Sequence, residues 1–236
     1  AIWILYVFIF FFAIIATRKI WTYMINFISL FPLNIVVYPG EHLNLHIFEP
    51  RYKQLIQDCF EAKKEFGIPV VMHNKVEELG TTVLITAIER VHENGEMDIR
   101  TIGHKVFRIL ENVTQIPDKL YQGAIVNYPE NNLEHVGKGM QLLIDLVRQF
   151  HHLLEVKKEY KKLDNELLSY DLAHHTGLNL EQEYALLGLF DELQRIEFLK
   201  RHLQKTIPTI VELQNLKKRI EMNGHFRKLS VEDTNE

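Results

Sequence analysis

Residues 31–40 of this chain are Phe31-Pro32-Leu33-Asn34-Ile35-Val36-Val37-Tyr38-Pro39-Gly40, and residues 47–52 are Ile47-Phe48-Glu49-Pro50-Arg51-Tyr52. Two prolines and a glycine punctuate an apolar, β-branched first block, a pattern that favours short strands bounded by turns. An amphipathic helix pattern begins in the second block, where Tyr52, Leu55, Ile56 and Cys59 share one helical face. The sequence therefore predicts a β-rich start into which one helix is inserted.

Length and composition are those of an ordinary globular protein. Of the 236 residues, 47% are hydrophobic, enough for a sizeable core in one large or two small domains. The net charge is −4, and the basic clusters Lys157-Lys158, Lys161-Lys162 and Lys217-Lys218-Arg219 are interleaved with glutamates. Such mixing is typical of solvated helix faces, so no nucleic-acid partner is expected.

Cysteine usage excludes two kinds of site. Cys59 is the only cysteine, so an intramolecular disulfide and a multi-cysteine zinc site are both impossible within the chain. Because Cys59 lies on the apolar face of the predicted helix, we predict a buried structural thiol rather than a nucleophile.

The first 23 residues differ from the rest of the sequence. Residues 1–17 are apolar and uncharged, Arg18 and Lys19 follow, and the first methionine is Met24. A secretory signal would have a basic start, which is absent. We predict that residues 1–23 are not part of the fold; the alternative is a membrane anchor. The positive-inside rule would then leave the body in the cytoplasm, so both interpretations predict a cytoplasmic domain.

Residues 24–130 have a β-rich pattern. Pro39-Gly40 predicts a turn, Pro50 suits the first turn of a helix over 51–64, and Asn94-Gly95 predicts a type I′ hairpin turn. The predicted strands are 35–38, 43–47, 68–72, 82–91, 97–102, 106–110 and 123–126. We therefore predict a small β-barrel with one inserted helix, because closing the sheet into a barrel hides the edges of its strands.

Residues 131–227 are predicted to form a helical bundle, separated from the β-rich part by a polar linker at 129–132. Gly177 is suited to end one helix, and Asn179 to cap the next. A long helix over 191–222 should be kinked or broken near Pro208, which removes a donor, and should stop at Asn223-Gly224. Residues 228–236 are predicted to form a flexible tail. The predicted fold class is α+β.

A search for catalytic motifs returns no site. The chain has no phosphate-binding loop, and none of its three serines lies in a Gly-x-Ser-x-Gly motif. Ser169 is predicted to cap a short helix from Asp171. The adjacent pairs His151-His152 and His174-His175 point in different directions on a helix. We therefore predict no catalytic residue, no cofactor and no specific metal site.

Two hypotheses apply to the polar residues Glu49, Arg51 and Tyr52. In the structural hypothesis, which we favour, Arg51 ties the helix start to strand carbonyls or carboxylates. In the functional hypothesis, the three line a polypeptide-binding groove. Phe48 is predicted to be a core anchor at the junction of barrel and helix.

Several blocks, in order and spacing, resemble the amino-terminal, substrate-binding domain of Lon proteases. The blocks are Phe31-Pro32-Leu33, Val37-Tyr38-Pro39-Gly40, Ile47-Phe48-Glu49-Pro50-Arg51-Tyr52, Leu79-Gly80-Thr81, Gly103-His104-Lys105-Val106-Phe107-Arg108-Ile109, Tyr170-Asp171-Leu172-Ala173, Leu178-Asn179-Leu180-Glu181, and the leucine-rich stretch 186–203. The resemblance implies a pseudouridine-synthase-and-archaeosine-like (PUA-like) barrel followed by a helical subdomain. It covers residues 27–224 and includes neither the family's ATPase module nor its Ser-Lys peptidase.

The resemblance also implies a function. The chain looks like a stand-alone protein of the kind found in bacteria, which would bind unfolded or tagged polypeptide in protein quality control, together with a protease or chaperone. Proteolysis is not implied. RNA binding is the alternative, because other PUA-like barrels bind RNA, although the unremarkable charge argues against it.

Overall fold

The computed structural model describes residues 26–134 and 137–232, with side chains described as far as residue 220. The strands are β1 (Asn26–Ser29), β2 (His42–Ile47), β3 (Phe66–Met72), β4 (Lys75–Val91), β5 (Met97–Val113) and β6 (Gly123–Asn127). The helices are α1 (Pro50–Ala62), α2 (Gly137–Leu153), α3 (Ser169–Ala173), α4 (Leu180–Leu187) and α5 (Glu192–Glu232). The predicted α+β class is confirmed, whereas the predicted leader at 1–23 lies outside the described residues.

The six strands form one antiparallel sheet in the order β1-β6-β5-β4-β3, and β2 and β6 pair with successive halves of β5. The prediction of a barrel is wrong, because the ladder between β1 and β3 does not close. Beyond β1, only isolated parallel bridges from Leu30 to Gly67 and from Leu33 to Val70 connect the two edges. Pro32 lies between them and has no N–H with which to continue the ladder.

The two hairpins that include β4 have different turns, and the type I′ turn does not lie where the sequence predicted it. At Asn94-Gly95 only Gly95 has positive φ, and its N–H donates to the carbonyl of His92, so the predicted type I′ turn is wrong. This arrangement is a type I turn followed by a left-handed glycine. The turn between β3 and β4 instead places both His73 and Asn74 at positive φ, as type I′ requires.

Residues 35–38 do not form the predicted strand, but the predicted turn at Pro39-Gly40 is confirmed. Gly40 has a φ of +83°, and the N–H of Glu41 donates to the carbonyl of Tyr38. This segment lies against β5, where Gly103 exchanges backbone hydrogen bonds with Gly40 and Glu41. A Cβ on Gly103 would collide with the carbonyl oxygen of Tyr38.

Two hydrophobic clusters explain the packing. One lies between α1 and the sheet and contains Phe31, Tyr52 and Cys59, which confirms the predicted burial of the thiol. Burial raises the pKa of the Cys59 thiol to about 11. The other unites the sheet and the helices, since Tyr38 and Val106 pack with residues of α2, α3, α4 and α5. The β-rich and helical parts therefore share one core.

A buried ion pair on α5 connects the two parts. Arg195 and Glu192 are fully buried, and the guanidinium Nη2 lies 2.8 Å from a Glu192 carboxylate oxygen. Arg195 also donates to the Asn131 side chain (2.8 Å), to the Asn132 carbonyl (2.7 Å) and to the Ser169 hydroxyl (3.0 Å). The predicted linker at 129–132, whose residues are half-buried or exposed, is thus held against α5 by hydrogen bonds.

Ser169 is not the predicted cap, because it is itself the first residue of α3. Its hydroxyl and its N–H donate to the two carboxylate oxygens of Glu192, at 2.8 and 2.7 Å. By contrast, the predicted cap at Asn179 is confirmed: its side chain accepts from the N–H of Gln182. Gly177 has the expected left-handed φ of +73°.

Helix α5 is longer than the sequence indicated. It continues through Pro208 and through Asn223-Gly224 to Glu232, so the predicted stop and the alternative of a break at Pro208 are wrong, whereas the kink at Pro208 stays a prediction. Among the described residues, no helix has the length and apolarity needed to cross a bilayer.

We expect Arg195→Met to lower the free energy of unfolding by about 3–5 kcal/mol, because it leaves the Glu192 carboxylate buried without its partner. Urea denaturation followed by circular dichroism measures this loss. Arg201→Met, an exposed change on the same helix, is the control and should stay within about 0.5 kcal/mol of the parent. Equal losses in the two variants would contradict the role of Arg195.

We expect Gly103→Ala to destabilise the fold by about 1–3 kcal/mol, because the new methyl group must displace the Tyr38 backbone. Gly137→Ala, where an added Cβ meets nothing within 4 Å, serves as the control and should not destabilise. Thermal unfolding of both variants tests the close approach; an unchanged Tm for Gly103→Ala would refute it.

Candidate functional site

A cleft of about 710 Å³ lies where the Pro39-Gly40 turn faces the helical part. One wall comes from residues 35–43, and the other from residues 158–162 and from α3 with the turn that follows it. The two walls are more than a hundred residues apart in sequence, so only the shared core brings them together. The cleft is the place where both predicted parts of the chain offer surface to a ligand.

The cleft combines apolar and charged groups. Ile35, Pro39 and Leu43 supply apolar surface on one wall, and Ile35 remains 37% exposed. Lys158, Glu159 and Lys161 are exposed on the opposite wall, and Lys162 pairs with Asp171 at 2.7 Å. Such a surface can bury apolar side chains between charges of both signs.

The floor of the cleft is rigid. Tyr38 is fully buried, its ring stacks on Tyr170 at 5.0 Å between centroids, and its hydroxyl donates to the carbonyl of Glu183. The Arg195 guanidinium lies over the Tyr170 ring, with its Cζ 4.3 Å from the ring centroid. The buried ion pair of α5 therefore supports the cleft from below.

His174 joins the two walls. Its Nδ1 lies 2.7 Å from a Glu183 carboxylate oxygen on α4, and its Nε2 lies 3.1 Å from a Glu41 oxygen on the opposite wall. Burial lowers the pKa of His174, but the bonds to Glu183 and Glu41 outweigh burial and raise the pKa to about 9. At neutral pH His174 is therefore protonated, and its imidazolium forms ion pairs that connect the two walls of the cleft.

Strand β2 leads out of the cleft and has one open edge. His42 and Leu43, at its start, line the cleft, and β5 is its only strand partner within the described ranges. An exposed strand edge offers main-chain donors and acceptors to an extended peptide. The geometry allows a bound segment to continue from the cleft along β2.

The structure distributes the predicted motif residues over four places. Phe31 and Tyr52 meet in the core, with ring centroids 4.1 Å apart. Pro39 and Gly40 line the cleft. The others follow the chain around these positions: Pro32 and Leu33 run along β3, and Phe48, Glu49, Pro50 and Arg51 lie at the start of α1.

Two predictions about the second block are wrong. Phe48 is no core anchor, because 58% of its surface is exposed. Arg51 does not tie the helix to a strand; its guanidinium pairs with Glu49 at 2.8 Å, and half of its side chain is exposed. Exposed pairs of this kind contribute little to stability. Neither residue lines the cleft.

The three side chains that connect the walls of the cleft were not identified from the sequence, although Pro39 and Gly40 were. Glu41 and Glu183 carry no local motif, and His174 was considered only as half of a histidine pair. Among the described residues, no serine, threonine or cysteine lines the cleft.

The raised pKa of His174 predicts how stability depends on pH. Its ion pairs contribute fully below the ordinary pKa of 6.5 and are lost as pH rises through about 9. We expect the difference in unfolding free energy between the parent and His174→Gln to be about 1–2 kcal/mol at pH 6, discounted because 32% of the side chain is exposed. This difference in unfolding free energy should vanish by about pH 10 in urea titrations. A difference that stays constant with pH would refute the stabilising role of the His174 ion pairs.

Comparison with known proteins gives a consistent result. Residues 28–205 match the family model described as the ATP-dependent protease La (LON) substrate-binding domain. No ATPase or peptidase domain is matched. None of the curated proteins matches the chain significantly.

Two solved structures share the architecture. The first is a Lon N-terminal domain protein from Xanthomonas campestris, 26% identical, with a TM-score of 0.57 over 74% of this chain and 97% of that one. The second is the N-terminal domain of a Mycobacterium avium complex Lon protease, with the same TM-score over 76% and 98% of the two chains; at 15% identity it supports the fold alone. Because the family model covers most of the described residues, this chain belongs to the Lon substrate-binding domain family.

Proposed function

We propose that the chain is a non-catalytic, polypeptide-binding adaptor module that works in the cytoplasm as part of protein quality control. Its ligands would be unfolded or tagged polypeptides, delivered to or received from a protease or chaperone. Membership of a substrate-binding family supports the ligand class. The location and the partners come from the sequence-based prediction.

The observation that carries this proposal is the cleft between the Pro39-Gly40 turn and the helical part. It offers exposed apolar surface at Ile35 and lysines opposite, and it opens onto the free edge of β2. Main-chain pairing along an edge strand gives affinity for any extended segment, whereas side-chain pockets give selectivity. A domain that accepts many unfolded ligands needs this combination.

RNA binding is the second candidate, and one observation favours it: Lys158, Lys161 and Lys162 stand together on one wall of the cleft. Against it, Lys162 is already paired with Asp171, and the chain carries a net charge of −4. Phosphate recognition normally uses a larger basic face. Polypeptide is therefore the better supported ligand.

We expect Ile35→Asp to weaken binding of a fluorescein-labelled, reduced and carboxymethylated lactalbumin, which cannot fold, by about 10-fold or more. Burial of an isoleucine side chain contributes roughly 1.5–3 kcal/mol, and 1.4 kcal/mol corresponds to a tenfold change in Kd. Fluorescence anisotropy titration measures the Kd.

The matched control is Val76→Asp, since Val76 is also 37% exposed but does not line the cleft. It should bind like the parent, and native, disulfide-bonded lactalbumin should bind neither protein. Tight binding of labelled oligouridine, with no binding of the unfolded polypeptide, would replace our proposal with the RNA alternative. Equal losses in both variants would place the binding surface elsewhere.

A further inference from the structure

A second cluster of chemically active side chains lies toward the far end of β2 from the cleft. It consists of His46 on β2, Asp98 on β5 and His92 at the β4–β5 turn. His46 and Asp98 are directly opposite each other in the β2–β5 ladder, so their side chains lie on the same face of the sheet. The N–H of His92 donates to the carbonyl of Glu96 across the turn, which fixes the backbone of His92.

Both imidazoles converge on one carboxylate. His46 Nδ1 lies 2.7 Å from one Asp98 oxygen, and His92 Nε2 lies 2.8 Å from the other. The three ligand atoms all lie within 4.8 Å of one another. A tetrahedral Zn²⁺ with bonds of about 2.0–2.1 Å places its ligands roughly 3.4 Å apart, so small side-chain rotations suffice to close such a site.

The surroundings support these ligands. The Glu96 carboxylate lies 3.1 Å from His46 Nε2, the ring nitrogen that does not contact Asp98, and so can orient the imidazole. The Glu96 N–H donates to the Asn94 side-chain oxygen. Arg90 stands opposite Asp98 in the β4–β5 ladder and is the one positive neighbour in that row. The negative charges of the Asp98 and Glu96 carboxylates together exceed the single positive charge of Arg90. The ring of His46 also lies against Phe48, with centroids 6.3 Å apart, which keeps one side of the site apolar.

We propose that His46, His92 and Asp98 bind one Zn²⁺ ion at the surface of the sheet, with solvent as the fourth ligand. Two imidazole nitrogens with a carboxylate suit zinc and disfavour Mg²⁺ and Ca²⁺, which prefer oxygen ligands. The ion ties the β4–β5 turn to the edge strand β2 and so stiffens the strand edge that leads to the cleft. This site is independent of the polypeptide-binding proposal.

Isothermal titration of the full chain with ZnCl₂ in chelator-free buffer tests the proposal. The parent should show one defined equivalent, and His92→Gln should lower the association constant at least ~10-fold, the smallest loss typical of groups that support a metal. Asp98→Asn removes a second ligand independently and should lower the association constant as well. Melting curves without metal confirm that each variant is folded.

The matched control is His104→Gln. His104 is also an exposed histidine on β5, but it is bonded to a single carboxylate, that of Glu65. It should bind zinc like the parent, and MgCl₂ should produce no saturable heat with any variant. Binding without a defined stoichiometry, or unchanged affinity in both His92→Gln and Asp98→Asn, would overturn the proposal. An equal loss in His104→Gln would overturn it as well.

Discussion

The burial of one guanidinium group constrains most of the helical part and its attachment to the sheet. Arg195 cannot lose its charge, so every N–H that it brings into the core must find an acceptor there. The acceptors come from α5 itself, from the start of α3 and from the segment that leaves the sheet. Because these acceptors must converge on one planar group, the relative positions of three chain segments follow from it.

The Arg195 guanidinium also supports the cleft from within the core. The Arg195 guanidinium lies on the ring of Tyr170, and that ring stacks on Tyr38, whose backbone forms the turn on the opposite wall. A second tie, the His174 imidazolium between Glu41 and Glu183, spans the same boundary closer to solvent. The cleft therefore lies between two parts that share a core and are connected by both sets of contacts.

Two side chains that could act as nucleophiles are buried away from the cleft. Cys59 is buried and the pKa of its thiol is raised, and Ser169 is held in the buried ion-pair network. The exposed residues of the cleft are apolar or carry charges of both signs. The family match is to a substrate-binding domain.

Local patterns in the sequence determined the features that depend on neighbouring residues. The helix over Pro50–Ala62 with its buried face, the Asn179 cap and the turn at Gly40 all follow from short-range geometry, and the ordered blocks identified the family. Only the tertiary structure decided which polar residues are buried. Asn131 and Ser169 match the patterns of a linker and a helix cap. In the structure, however, both accept hydrogen bonds from Arg195, which is 64 and 26 residues away in sequence. Phe48 looks like a core residue, yet it lies on the surface because α1 turns its buried face elsewhere. Burial of charge is a property of the assembled core, and no local spacing encodes it.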